Sequence, residues 1–264
     1  MKYALLIGIN YTGTANELSG CINDVLNMKS ILKSRYGFLE ENIVVLTDNT
    51  SQKPTAQNII DSMSNVILKT LAHPNSEIWI HYSGHGSSIA DTSGDESDGF
   101  DEVLVPIDYA TSGVITDDQL HDIFKCLPSQ SSCVCFFDCC HSGTLLDLKY
   151  KYKLDGSEII DNNNSVVNSN LILISGCQDC QTSADFCNIF NVWGGAMTTG
   201  LINTLESHNY RITCHNLLVG INAYLRQNNF TQIPQLTSSK QLTNDTVFSS
   251  ILSIPSFITI QSRK

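Results

Sequence analysis

The chain has 264 residues, 42% of them hydrophobic and 16% charged, so it is long and apolar enough to bury the core of one large domain or of two small ones. A formal net charge of -11 argues against a protein that binds nucleic acid or anionic membranes through general electrostatic attraction. No apolar run approaches the roughly 20 residues of a membrane span, and the N-terminal run lacks the pattern of a signal peptide, which together predict a soluble, cytoplasmic protein.

Strand patterns alternate with helical ones through the first 175 residues, which is typical of a largely parallel sheet with crossover helices. Strands are expected at 3–9, 42–46, 77–82, 133–137, 171–175 and 233–237, with a small hairpin formed by 103–107 and 113–115. Helices are expected after Asn23 or Asp24 as the capping residue, and at 55–71, 117–127, 195–205 and 213–225. The simplest architecture is one three-layer α/β domain.

The composition turns polar between residues 147 and 170, where Lys149, Lys151 and Lys153 are followed by a run of asparagines. This pattern predicts an exposed, flexible linker at 149–169. The linker would divide the single domain into a large part, 1–148, and a small part, 170–264.

Two potentially catalytic side chains directly follow predicted strands. His85 lies between two glycines after the strand at 77–82, and Cys140 follows the strand at 133–137. Ligands bind beyond the carboxyl ends of parallel strands, and an imidazole beside a thiol activates it as a nucleophile. The N–H groups of Gly86 and Cys140 could form an oxyanion hole. The alternative is a buried cysteine and a histidine satisfied in the core.

Several motifs resemble those of the metacaspases, and they follow the family's order over almost the whole chain. They are Ser19-Gly20-Cys21-Ile22-Asn23-Asp24, His81-Tyr82-Ser83-Gly84-His85-Gly86, Asp98-Gly99-Phe100-Asp101-Glu102, Asp138-Cys139-Cys140-His141-Ser142-Gly143, Ile174-Ser175-Gly176-Cys177 with Gln181-Thr182-Ser183-Ala184-Asp185, and Pro234-Gln235-Leu236-Thr237-Ser238-Ser239. The resemblance implies a caspase-like three-layer α/β/α sandwich with a mostly parallel central sheet. It also implies a cysteine endopeptidase that cleaves after Arg or Lys, and not after Asp as caspases do.

The resemblance assigns roles to individual residues. Cys140, which directly precedes His-Ser-Gly, matches the nucleophile, and His85 matches the general base that later protonates the leaving amine. Cys139 is then a neighbour that packs inward. His81 and His141 lie in the same two motifs and are expected to support them.

Four further residues match the family's substrate pocket, namely Cys21, Asp24, Ser83 and Asp138. A carboxylate pair suits the fixed charge of Arg, with bidentate geometry available, and accepts Lys as a point charge. For Asp24 the alternative role is a helix N-cap.

The stretch 91–102 is rich in acids but fails the EF-hand template. Asp101, Asp117, Asp118 and Asp147 match carboxylates that bind calcium in metacaspases, and an all-oxygen site suits that hard cation. The resemblance therefore implies activating Ca²⁺ and no organic cofactor, with an ordinary solvated acidic face as the alternative. The last of the four follows the nucleophile closely, so calcium there could order the active-site loop.

The ten cysteines are expected to be free thiols, because the chain has a full core and no export signal. Cys177 and Cys180 form a single CxxC. Without a second pair at zinc-finger spacing, this motif does not favour a zinc site.

The lysines of the linker make it a candidate for self-cleavage, with a solvated loop as the alternative. The catalytic part comes first, as in type I and type II metacaspases, and the short linker favours a resemblance to type I without its leader. Expected partners are peptide or protein substrates with Arg or Lys at the cleavage site, with no nucleic acid and no membrane, and the resemblance implies a monomer. Rival hypotheses are another caspase-fold peptidase, such as a legumain-like or clostripain-like enzyme, and an inactive scaffold.

Overall fold

The computed structural model describes residues 1–91, 99–140, 145–160, 162, 165–176, 185–187 and 193–255. Its strands are β1 (Lys2–Gly8), β2 (Ile43–Thr47), β3 (Glu77–Ser83), β4 (Gly86–Ala90), β5 (Phe100–Leu104), β6 (Ile115–Thr116), β7 (Ser132–Asp138), β8 (Tyr150–Tyr152), β9 (Glu158–Ile160), β10 (Asn170–Ser175), β11 (Asp185–Cys187), β12 (Trp193–Gly195) and β13 (Gln235–Ser238). Its helices are α1 (Cys21–Ser34), α2 (Ala56–Ala72), α3 (Tyr109–Ser112), α4 (Asp117–Phe124), α5 (Ala196–Ser207) and α6 (Cys214–Gln227).

The centre of the fold is an eight-stranded sheet with the strand order β2-β1-β3-β7-β10-β13-β8-β9. The first five of these strands are parallel to one another, whereas β13, β8 and β9 are antiparallel to their neighbours. β1, β3, β7 and β10 are buried along nearly their whole length. Their near-continuous apolar sequences are typical of strands covered by helices on both faces.

Two apolar cores, one on each face of the sheet, produce the three layers. On one face α1, α5 and α6 contribute Met28, Leu201 and Ile221, among others. On the other face α2 and α4 contribute side chains such as Met63 and Phe124. Alternate residues of each interior strand point to opposite faces and so serve both cores. The predicted three-layer α/β architecture with a mostly parallel sheet is confirmed.

The range expected to be a linker contains part of the central sheet. Its strand β8 pairs with β13 on one side and with β9 on the other. The hydroxyl of Tyr152 accepts hydrogen bonds from the Leu242 N–H at 2.7 Å and from the Ser238 hydroxyl at 3.2 Å. The Lys-Tyr alternation at 149–153 is therefore a short strand pattern, with tyrosines on one face and lysines on the other.

The first helix begins earlier than the sequence suggested. Gly20 is the N-cap residue of α1, and Asp24 lies inside its first turn with a buried side chain. The expectation that Asn23 or Asp24 caps this helix is thus wrong. The physical reason is that the helix already begins after Gly20, and the Asp24 carboxylate accepts hydrogen bonds from two remote groups, Ser83 and Gly195.

A second, three-stranded sheet with the order β4-β5-β6 follows His85. The expected hairpin between 103–107 and 113–115 corresponds to the pairing of β5 with β6. β4 was not expected from the sequence, because its Gly-Ser-Ser start is polar and largely outside the core. Within the described ranges, no helix combines the length and apolar character that crossing a membrane requires.

Candidate active site

His85 and Cys140 leave the sheet side by side. They follow the neighbouring parallel strands β3 and β7, and Ser83 is paired in register with Asp138 at the ends of those strands. His85 is two residues beyond the first member of this pair, and Cys140 is two residues beyond the second. The parallel register therefore brings the two predicted catalytic segments to one edge of the sheet, as expected from their strand-end positions.

The main chains of these segments are in close contact. A Cβ atom built on Gly86 would lie 2.0 Å from the Cys140 carbonyl oxygen and 3.2 Å from Cys139 Sγ. Only glycine allows this approach, because a side-chain carbon would overlap the carbonyl. Cys139 is fully buried, whereas Cys140 is partly exposed. Of the two adjacent thiols, only Cys140 is accessible to a substrate.

The imidazole of His85 has a defined hydrogen-bond partner. Its Nε2 lies 2.8 Å from the carbonyl oxygen of Asn16. A carbonyl can only accept, so in this contact Nε2 carries the proton and the neutral ring keeps its lone pair on Nδ1. Nothing in the sequence around Asn16 signalled this contact, which depends on a loop 69 residues away from His85 along the chain.

The four residues expected to form the pocket converge below this edge. Asp24 projects from α1 and accepts a 2.7 Å hydrogen bond from the Ser83 hydroxyl. Asp138 ends β7, and Cys21 lies three residues before Asp24 on the same face of α1. Asp24, Asp138, Ser83 and Cys21 are all buried.

The N-terminus of α5 closes over the two carboxylates. The Gly195 N–H donates to both Asp24 oxygens at 2.9 Å, and the Thr198 N–H donates to Asp138 Oδ2 at 2.8 Å. A Cβ on Gly195 would lie 2.1 Å from Asp138 Oδ2 and 2.8 Å from Asp24 Oδ2, so the two acids face the same point. α5 has no side-chain cap of its own, and the two acids complement the positive end of its dipole.

His81 lies beneath Asp138 and does not reach the surface. Its Nε2 is 3.4 Å from Thr198 Oγ1, which donates to Asp138 Oδ2 at 2.9 Å. The ring is fully buried between Trp79 and Phe136, and this burial lowers the pKa of His81 to about 3. The imidazole is therefore neutral at physiological pH and belongs to the packing under Asp138.

Three of the four expected calcium ligands belong to one acidic region. Asp117 opens α4 and accepts hydrogen bonds from the N–H groups of Glu102 and Asp118 at 2.7 and 2.8 Å. Burial, and to a lesser extent the neighbouring charges of Asp101 and Asp118, raises the pKa of Asp117 to about 6. These carboxylates are thus close enough to repel one another. The fourth residue, Asp147, directly follows Leu146. The Leu146 carbonyl oxygen lies 3.1 Å from Nδ1 of His121, which belongs to α4, the helix that Asp117 opens.

The chemistry of these four side chains suits a hard cation, but their arrangement is not that of a preformed coordination site. All four residues offer carboxylate oxygens, which calcium prefers. In the part of the chain that the structure describes, no three acidic, histidine or cysteine side chains are already arranged around one point as metal ligands. A cation bound here would offset both causes of the raised pKa of Asp117, first the burial of its carboxylate and then the repulsion from Asp101 and Asp118.

Several expected features lie outside the described residues. They are His141, Ser142 and Gly143 of the cysteine motif, the acids Asp95, Glu96 and Asp98 of the acidic stretch, the CxxC formed by Cys177 and Cys180, and residues 181–184 of the motif that follows it. Each cysteine whose side chain the structure describes is a free thiol. Three residues of this site, Asn16, Gly195 and Thr198, were not expected from the sequence. Only Gly195 had a local signal, because two adjacent glycines before α5 indicate a close approach of the main chain.

Known proteins resemble this chain in sequence and in fold. The family model described as "Metacaspase, peptidase C14 domain" matches residues 2–149. Metacaspase-1 of Schizosaccharomyces pombe is 35% identical over 293 aligned residues, covering 91% of this chain and 68% of that protein. A solved structure from Geobacter sulfurreducens has a TM-score of 0.65 at 25% identity and covers 91% of this chain and 94% of its own.

A second solved structure, caspase-1 from Spodoptera frugiperda, has a TM-score of 0.58 at 14% identity, covering 90% of this chain and 86% of its own. At that identity the likeness concerns the fold alone, and it agrees with the caspase-like sandwich expected from the sequence. The family match spans more than half of the chain and includes both strand-end motifs. The chain belongs to the metacaspases, a family of caspase-like cysteine peptidases.

Proposed function

We propose that this metacaspase is an endopeptidase that cleaves after Arg or Lys, uses Cys140 and His85 as its catalytic dyad, and is stimulated by calcium. The observation that carries the proposal is a pair of buried carboxylates, Asp24 and Asp138, that face the same point in space. Asp138 is also two residues before Cys140 in the chain. A pocket with two acids favours a basic side chain and disfavours an acidic one.

In the proposed reaction, Nδ1 of His85 takes the proton from the Cys140 thiol, and the thiolate attacks the scissile carbonyl carbon. The imidazolium then gives that proton to the leaving amine as the C–N bond breaks, which leaves a thioester on Cys140. A water molecule, deprotonated by the same nitrogen, hydrolyses the thioester and restores the thiol. The contact from Nε2 to the Asn16 carbonyl supports Nδ1 as the nitrogen that carries out these proton transfers.

The orientation of Gly86 supports its proposed role in the oxyanion hole with Cys140. The Val105 N–H donates to the His85 carbonyl at 3.2 Å, and Gly86 occupies the next position, opposite Leu104. Hydrogen-bonded and non-bonded pairs alternate in an antiparallel ladder, so the Gly86 N–H points away from β5. It can therefore donate to an oxygen outside the ladder.

The experiment that tests the proposal is hydrolysis of matched fluorogenic peptides ending in Arg, Lys or Asp, with and without millimolar calcium. We expect cleavage after Arg and Lys, faster with calcium, and none after Asp. Absence of cleavage under both conditions would overturn the enzymatic proposal. Cleavage after Asp would overturn the pocket assignment while leaving the dyad intact.

For calcium, we expect the double variant Asp117→Ala/Asp118→Ala to lose stimulation while keeping its fold and its calcium-independent activity. The reason is that these two residues place carboxylates at the start of α4, beside Asp101. The measurement is activity as a function of calcium concentration, with circular dichroism as the check on folding. Asp122→Ala, an exposed acid later in the same helix, is the matched control. Undiminished stimulation in the double variant would place the metal elsewhere.

Self-cleavage within 147–170 is a further part of the proposal, and the β8–β9 hairpin should make it slow. Lys151 is paired with Thr237 and with Ile159, so a cleavable, extended segment requires the hairpin to leave the sheet. We expect intact-mass spectrometry after calcium addition to show fragments ending at the linker lysines, and Tyr152→Ala to speed their formation several-fold. Fragments ending outside 147–170 would contradict this assignment.

A further inference from the structure

Tyr11 has a backbone conformation that is rare for its residue type. Its φ is +52°, in the left-handed region that bulky side chains seldom adopt. Its carbonyl accepts from the Thr14 N–H at 3.1 Å and from the Thr14 hydroxyl at 2.8 Å, which closes a tight turn just after β1. Strained backbone of this kind persists where the surrounding structure holds it and is concentrated at functional sites.

The side chain of Tyr11 contacts His85 in two ways. The two rings lie 4.7 Å apart between centroids with an angle of 38° between their planes. The Tyr11 hydroxyl accepts the His85 N–H at 3.0 Å and lies 2.6 Å from the Val105 carbonyl oxygen, to which it donates. Tyr11 is only 1% exposed, and burial raises the pKa of its hydroxyl, so the group stays protonated and can donate.

This hydroxyl replaces one rung of a β-ladder. The Val105 N–H donates to the His85 carbonyl, and in a regular antiparallel pair the His85 N–H would donate back to the Val105 carbonyl. Here the phenol bridges the two groups instead. On the other side, the Tyr82 hydroxyl donates to the His85 carbonyl at 2.7 Å and lies 3.2 Å from the Tyr11 hydroxyl. Both main-chain polar groups of His85 are therefore held by tyrosine hydroxyls.

Glycine at position 84 is required by the same arrangement. A Cβ on Gly84 would lie 2.9 Å from the Tyr82 hydroxyl and 3.1 Å from the Tyr11 hydroxyl. The turn that begins at Tyr11 also carries Asn16, whose carbonyl meets Nε2 of the imidazole. One short loop thus contacts His85 at its main chain, at its ring face and at its ring nitrogen.

We propose that Tyr11 is a positioning residue for His85: its hydroxyl sets the place of the His85 main chain, and its ring sets the plane of the imidazole. The inference rests on the proposed role of His85 as the catalytic base. A tyrosine that only filled the core would need neither a left-handed backbone nor a hydroxyl inserted in a ladder. Tyr36 is such a residue, because it is equally buried and its hydroxyl has no hydrogen-bond partner in the described part of the chain.

The test compares Tyr11→Phe, which keeps the ring, with Tyr11→Leu, which removes it, and uses Tyr36→Phe as the matched control. The readouts are kcat and KM on an Arg peptide, with thermal unfolding as the check on folding. We expect kcat to fall about tenfold in Tyr11→Phe and about a hundredfold in Tyr11→Leu, because small misplacements of a catalytic group cost factors of this size. KM should stay within about twofold, since the acidic pocket is untouched.

The possible outcomes separate this inference from the proposed function. An inactive wild-type protein would overturn the function itself. An active wild type whose kcat is unchanged in a folded Tyr11→Phe variant would overturn only the role of Tyr11. A fall in kcat equally large in Tyr36→Phe would also count against it, because general loosening of the core would then explain the loss.

Discussion

Cys140→Ala is expected to abolish hydrolysis of Arg and Lys peptides, with a loss on the order of 10⁴-fold or more, because the substitution removes the atom that attacks the carbonyl. Cys139→Ala is the matched control, since it removes a thiol one position earlier. Cys139 is fully buried with its sulfur against Gly86, whereas Cys140 is partly exposed. The control should retain most of the activity and lose some stability through the small cavity that it creates.

The measurement is kcat/KM for both variants beside wild type, supported by labelling with an iodoacetamide probe and mass spectrometry of the modified peptide. Rapid labelling should map to Cys140 in wild type and in Cys139→Ala. The reverse result, with activity lost in Cys139→Ala and kept in Cys140→Ala, would show that the two adjacent thiols have been assigned the wrong way round.

Asp24→Asn should lower kcat/KM for Arg and Lys peptides by about 10²- to 10³-fold, because it removes one charge from the buried site that we propose pairs with the cationic side chain. The amide oxygen can still accept a hydrogen bond from Gly195, so α5 keeps part of its capping interaction. Asp138→Asn should lower kcat/KM similarly, and it should also weaken the two hydrogen bonds that Thr198 donates to this side chain. The loss should be much smaller for a peptide with a neutral residue at the cleavage site.

Asp108→Asn is the matched control for the structural part of this effect. Its carboxylate accepts the Ala56 N–H at 2.8 Å and so supports the start of α2 much as Asp24 supports the start of α5. Comparable loss of thermal stability in both variants, with loss of Arg and Lys cleavage only in Asp24→Asn, is the expected result. Unchanged specificity in a folded Asp24→Asn variant would mean that the acid serves α5 alone.

The local sequence determined the elements and the positions of the chemistry along them. Continuous apolar runs identified β1, β3, β7 and β10, because strands buried on both faces need apolar side chains at every position. Polar and glycine residues directly after two of these runs identified His85 and Cys140. Parallel strands share an edge, so the sequence already implied that these two residues would be neighbours.

The same local information failed where short elements depend on distant partners. The Lys-Tyr alternation of β8 has too few residues to distinguish a strand from a polar linker, and the strand exists because Tyr152 packs beside β13. Asp24 looked equally suited to a helix cap and to a pocket. Its position inside the first turn of α1 removed the first role, since its carboxylate points to Gly195 and Ser83.

By itself, then, the sequence determined where the chemical groups lie along the chain: a histidine just after one apolar strand, a cysteine just after another, and acids near both. Only the tertiary structure decided which groups hold them. Asn16, Tyr11 and Gly195 act through contacts with residues far away in the chain, and such contacts leave no periodic trace in a sequence. They arise because packing three layers brings the loop after β1 and the start of α5 to the single edge where β3 and β7 end.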